Sequence, residues 1–243
     1  MHSPITSPAS LSASASASTP SRKPSPSAVR DASARLQTAA ATSPYRVCFV
    51  CTGNICRSPM AEAVFRARVE EAGLDGLVEV DSAGTGGWHE GDGADPRTVA
   101  VLRAAGYEED HSARQFQAGW FGRLDLVIAL DGGHLRALRR LAPTAQDAAK
   151  VRLLRSYDPA VISDGPAPSS HDLDVSDPYY GGMAGFEECL EMVEAASEGL
   201  LTAVRDALAA RGQIIGEAPR GTTAPVGAPV AVAGVPVAAE DAP

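Results

Sequence analysis

The strongest constraint on how this chain folds is the join in YRVCFVCTGNICRSPMAEAVF, where an apolar run ending at Cys51 passes into a helical pattern through a turn of small and polar residues. Met60, Ala63, Val64 and Ala67 fall on one helical face. Ser58 suits the cap of that helix, Pro59 its first turn and Gly73 its end. The turn is therefore pinned between a strand and a helix, and it holds CTGNICRSPM, Cys51 to Met60.

The alternation continues along the chain. Apolar β-branched runs near 46–51, 77–81, 124–130 and 151–154 are interleaved with helical patterns near 59–72, 95–105, 132–141 and 184–211. This predicts an α/β fold of three layers, a four-stranded parallel sheet with helices on both faces and the functional loop after strand 1. In the last helix Phe186, Leu190, Val193, Leu200, Val204 and Leu208 form a core-facing stripe. Residues 1–43 are rich in Ser, Ala, Pro and Thr, and 213–243 in Ala, Pro, Gly and Val. Both are expected to be disordered extensions of one domain over 44–212, which is long enough to bury a proper core.

The turn has the makings of an anion cradle. Backbone N–H groups of a tight loop ending at a helix N-terminus can converge on the oxygens of a phosphate monoester, helped by the helix dipole. Gly53 and Asn54 tolerate the left-handed backbone that such a loop requires. The same electropositive nest favours the ionised, nucleophilic form of Cys51. Arg57, completing a C-x5-R spacing, offers a planar fork for two phosphoryl oxygens, which a lysine would meet only as a point charge. Asp177 precedes Pro178, which biases it toward an extended loop, so it is a carboxyl presented from a loop, of the kind that can protonate a departing oxygen and then activate water.

From Tyr45 to about Arg211 the chain resembles the low-molecular-weight protein tyrosine phosphatases, through VCTGNICRSPMAEAVF, DSAGTGGW, DPR, HSARQ, SYDP and DPYY in the family's order. The resemblance implies Cys51 as nucleophile, Arg57 as the phosphate-gripping arginine and Asp177 as general acid, with Thr52, Gly53, Asn54, Ile55, Cys56 and Ser58 completing the phosphate-binding loop. It implies that Asn54 is strained and held by Ser82 and His111, that Ser58 donates to the sulfur, and that Trp88, Tyr179 and Tyr180 wall a slot suited to an aryl phosphate. The family usually reads Met-Asp-x-x-Asn after its third strand, whereas this chain has Leu130, Asp131 and His134. That departure predicts an altered network behind Asn54 and leaves the part played by Asp131 open. Against the family, Ser163–Asp174, with GPAPSS, reads as an extended, flexible approach to the acid loop.

The expected activity is hydrolysis of phosphotyrosine through a cysteinyl-phosphate. The alternatives are a protein arginine phosphatase, an arsenate reductase on the same scaffold, or a non-catalytic phosphopeptide-binding module. Ile55 stands where the related arginine phosphatases carry threonine. The reductase would need further cysteines after the third strand, and 131–150 contains none. A binding module would have lost Cys51, Arg57 or Asp177.

The net charge of −9 and the absence of a basic patch with interleaved aromatics argue against nucleic-acid binding. No stretch approaches the length of a membrane span, and the N-terminus lacks the apolar centre of a secretory signal. Four cysteines form no disulfide framework and C-x4-C has no second ligand pair, so neither metal nor cofactor is expected. A cytoplasmic monomer acting on a phosphotyrosine-containing protein is the resulting expectation. Cys48 and Cys189 read as core residues, and Cys56 as a partner that captures oxidised Cys51 in a reversible disulfide.

Overall fold

A computed structural model describes residues 43–162, 169 and 171–214. Residues 1–42 and 215–243 of the two terminal extensions, and 163–168 and 170 of the approach to the acid loop, lie outside the described residues. Four strands, β1 (Tyr45–Cys51), β2 (Val78–Gly84), β3 (Leu126–Ala129) and β4 (Val151–Leu153), pair in parallel in the order β2-β1-β3-β4. The helices are α1 (Arg57–Glu71), α2 (Pro96–Ala104), α3 (Gly132–Leu141), α4 (Ala145–Ala149) and α5 (Met183–Ala210), with 3-10 turns at Ala118–Gly122 and Leu154–Tyr157.

The pleat of β1 divides the core. Val47, Phe49 and Cys51 point to one face, where α1, α2 and α5 supply Met60, Val64, Phe65, Leu102, Phe186, Leu200 and Leu208. Cys48 and Val50 point to the other, against Phe121 and Leu138 of α3. A strand buried on both faces reads as a continuous apolar run, which is why β1 stood out in the sequence. Phe49 meets Phe65 edge-on with ring centroids 5.6 Å apart, and each such fully buried side chain contributes about 1.5–3 kcal/mol. The expected stripe on α5 is buried throughout.

The first strand lies inside the sheet, with β2 on one flank and β3 on the other. The connection order reverses there, so the carboxyl ends of β1 and β3 border the crevice where ligands bind in open α/β sheets. Three local readings change. Helix α1 begins at Arg57, before Pro59, and Cys56 is its N-cap residue, without a side-chain bond. Ser58 therefore does not cap it; its hydroxyl is turned inward. Helix α4 escaped the sequence reading because it buries no residue and so has no apolar period; Thr144 caps it through the Asp147 N–H. Among the described residues no helix is long and apolar enough to cross a membrane.

Helix α5 runs 28 residues and touches backbone at Gly199, where an added Cβ would lie 1.9 Å from the Tyr157 carbonyl oxygen. Gly to Ala in a helix ordinarily stabilises. Here Gly199→Ala should instead destabilise by about 1–3 kcal/mol, because the 3-10 turn must move; a denaturant midpoint equal to or above wild type would contradict this packing.

Candidate active site

Cys51 ends β1 with its side chain buried. The loop then folds back so that the Asn54 N–H points at Cys51 Sγ from 3.3 Å and the Ser58 hydroxyl lies 3.0 Å from it. Ser58 Oγ accepts from Asn54 Nδ2 at 2.9 Å. Its one proton can go to the Ala83 carbonyl, 3.2 Å away, or to the sulfur, so an ionised sulfur would gather two donors.

Asn54 is the only non-glycine residue with positive φ, 58°, among the described residues; Gly53, offered for the same role, is not in that region. The strain, of order 1–3 kcal/mol, is balanced by bonds to every polar group Asn54 owns. Its amide donates to Ser58 Oγ and to Ser82 Oγ, both at 2.9 Å. Its Oδ1 accepts the Arg114 N–H at 2.9 Å, and its carbonyl accepts His111 Nε2 at 2.6 Å. Since a carbonyl cannot donate, that ring nitrogen carries the proton. Ser82 passes its own proton to Glu62 Oε2 at 2.5 Å. Burial pushes the Glu62 carboxyl up, but His111, Ser82 and Arg66 hold it below the ordinary range, so the chain of donors ends on an anion. Glu62 and Arg114 were missed in the sequence; Arg114 lies within the quoted HSARQ, whereas Glu62 offers only an acidic residue on an otherwise buried helix face.

Arg57 is buried, 4% exposed. Its Nη1 donates to Asp131 Oδ2 at 2.9 Å and to the Val175 carbonyl at 3.2 Å, and its Nη2 to Asp177 Oδ2 at 2.6 Å. The guanidinium is thus oriented from behind by Asp131, the N-cap of α3, whose Oδ1 takes the His134 N–H at 2.8 Å. Burial raises the Asp131 carboxyl, yet the His134 N–H and the Arg57 charge outweigh it and keep it low.

The departure at His134 does not touch the network behind Asn54. That network hangs from β2 and the His111–Arg114 segment, whereas His134 follows β3 on the opposite flank of β1. Its Nε2 lies 2.9 Å from Thr52 Oγ1, and its Nδ1 is 3.1 Å from Asp131 Oδ2 but not aligned for a hydrogen bond. An imidazole there links the loop after β1 to the support of Arg57. Burial, with the Arg57 charge, drives it down to about 4 despite the neighbouring carboxylates.

A cavity of about 290 Å³ opens above the sulfur, lined by Cys51, Thr52, Gly53, Ile55, Cys56, Arg57 and Asp177, with Trp88, Tyr179 and Tyr180 at its mouth. The rings of Tyr179 and Tyr180 meet edge-on at 5.0 Å, and all three aromatics are exposed. Trp88 lies over Gly86, where a Cβ would fall 2.0 Å from the indole, so only glycine lets the ring lie there. His89 also lines the cavity, held by Asp92 at 3.0 Å and packed on Gly53; it was not singled out in the sequence, though it adjoins Trp88. Cys48 and Cys189 are buried in the two core layers, and burial pushes both thiols up to about 12.

His134 gives the fold a pH dependence. Between pH 6.5 and about 4 the unfolded chain binds a proton there that the folded protein excludes, so stability falls as pH falls through that window, by on the order of 3 kcal/mol. The depressed carboxyls of Glu62 and Asp131 lose their contribution at lower pH. His134→Asn should remove the first component: its denaturant midpoint should drop less than wild type between pH 7 and pH 5. An equal drop would show that His134 is not held neutral.

The model of the low molecular weight phosphotyrosine protein phosphatases matches residues 46–210. A low molecular weight protein-tyrosine-phosphatase of Streptomyces coelicolor is 77% identical over 167 residues, covering 69% of this chain and 98% of its own. The crystal structure of a protein tyrosine phosphatase from Entamoeba histolytica superposes with a TM-score of 0.60 at 32% identity, covering 67% of this chain and 98% of the other. That of a Drosophila arginine phosphatase gives 0.57 at 32%, covering 65% and 96%. The chain belongs to the low molecular weight phosphotyrosine protein phosphatase family.

Proposed function

We propose that the protein hydrolyses phosphotyrosine, and small aryl phosphates, through a cysteinyl-phosphate intermediate, over a catalytic domain spanning 44–212. The observation that carries this reading is the convergence on one cavity of Cys51 Sγ, the buried Arg57 fork and the Asp177 carboxyl. Cys51 Sγ attacks phosphorus as the ester bond breaks, and Asp177, protonated, gives its proton to the departing phenolic oxygen. The Asp177 carboxylate then takes a proton from water as the water displaces the sulfur, and phosphate leaves with Cys51 restored as thiolate. Loop N–H groups and Arg57 carry the equatorial charge throughout.

The aromatic mouth supports an aryl ester over a short alkyl one. The apolar Ile55 in the cavity lining supports tyrosine over arginine phosphate, since it offers no hydroxyl to a guanidinium. A thiolate nucleophile is in keeping with a reducing, cytoplasmic compartment. Cys51→Ser should abolish turnover yet still bind vanadate; an active variant would refute the covalent route. Asp177→Asn should lower kcat/KM for esters with poor leaving groups far more than for those with good ones, and a uniform loss in kcat/KM would exclude it as the acid.

We also infer a redox role for Cys56, which lies buried beside the sulfur and whose thiol is pushed up to about 12, by burial first and then by Asp95 and Cys51. Peroxide converts Cys51 to a sulfenic acid; the Cys56 thiol displaces its oxygen as water, leaving a disulfide. Mass mapping after peroxide should find the Cys51–Cys56 link, with activity restored by a thiol reductant; irreversible loss without the link would overturn this inference.

A further inference from the structure

Asp177 is carried on a segment held from its N-terminal side by two bonds to the junction between β3 and α3. Asp174 Oδ1 accepts the Gly132 N–H at 2.7 Å, and the Val175 N–H donates to the Leu130 carbonyl at 2.8 Å. On its C-terminal side the hold comes from Arg97, at the start of α2. Its Nε and Nη2 grip Asp95 side-on at 2.9 and 2.8 Å, while Nη1 reaches away to the Gly181 carbonyl at 3.0 Å. The face of the guanidinium lies 4.4 Å from the Phe186 ring centroid and 5.8 Å from that of Tyr179. Asp95 in turn donates its N–H to the Ile55 carbonyl at 2.7 Å, inside the phosphate-binding loop. One planar cation thus joins that loop, the acid segment and an aromatic of the mouth.

We propose that Arg97 is a positioning residue that latches the Asp177 segment to the phosphate-binding loop through Asp95 and holds the Tyr179 ring at the mouth. The inference rests on the reading of Asp177 as the general acid. An ion pair as exposed as this one, with a third of the Arg97 side chain open to solvent, contributes little to stability in itself. What Arg97 supplies is geometry: a carboxylate gripped by two parallel donors, a carbonyl bonded in another direction and two rings met by one rigid fork, which an ammonium cannot reproduce. A displaced carboxyl fails first where the departing oxygen most needs its proton, that is, with poor leaving groups.

The test compares wild type, Arg97→Gln, Arg97→Lys, Asp177→Asn and Arg97→Gln/Asp177→Asn over a series of aryl phosphates of rising leaving-group pKa, with inhibition by inorganic phosphate and melting temperature alongside. Both Arg97 variants should lose about tenfold in kcat/KM on poor leaving groups and no more than about twofold on good ones, with phosphate inhibition within about twofold of wild type. The double variant should lose no more on poor leaving groups than Asp177→Asn alone. If Asp177→Asn steepens the series and Arg97→Gln does not, or if the losses multiply in the double variant, the latch is overturned while the acid stands. A flat series for Asp177→Asn overturns the acid and the latch together. A lowered melting temperature with a flat series for the Arg97 variants would mark Arg97 as only a support of α2, against the proposal.

Discussion

Everything in the site depends on one backbone residue bent the unfavourable way. With Asn54 in the left-handed region its N–H turns inward at Cys51 Sγ, and the loop closes over the sulfur. That conformation survives because Asn54 has no free polar atom: its amide, carbonyl and backbone groups are all engaged by Ser58, Ser82, Arg114, His111 and the sulfur. The partners come from α1, β2 and the 111–114 segment, so the fold must be complete before the loop can be held. Strain at a functional site is maintained by surroundings that over-determine it.

A second frame holds the charges. Arg57 rises from the first residue of α1, but its direction is set by Asp131 at the end of β3 and by Val175 and Asp177. Asp131 is itself oriented by the first turn of α3, through the His134 N–H. The guanidinium therefore reports the packing of both helical layers on the sheet. Placing the two carboxylates on separate nitrogens of one fork sets Asp131 behind and Asp177 in the cavity lining, a division that neither residue type would reveal in the sequence.

The loop, the acid segment and the aromatic mouth arise from parts of the chain far apart, and they meet because the strand order reverses at β1. Two separate ties run from the loop after β1 to this assembly. Thr52 reaches His134 on one side, and Ile55 reaches Asp95 and so Arg97 on the other. The loop after β1 is thereby referenced to both halves of the fold.

The sequence by itself determined the alternation of strands and helices and pointed to Cys51, Arg57 and Asp177, which line one cavity, because each is written in local pattern or in a short motif. Ser82 and His111 were legible only through resemblance, and Glu62, Arg114 and His89 were not picked out, since a polar residue carries no local mark of what it will touch. The cap assigned to Ser58 failed because its hydroxyl is claimed by the sulfur and Asn54, a competition visible only when β1, β2 and α1 are packed. His134 was assigned to the wrong network for a related reason: spacing after a strand says which element a side chain rides on, whereas the order of strands in the sheet decides which flank of the loop it reaches.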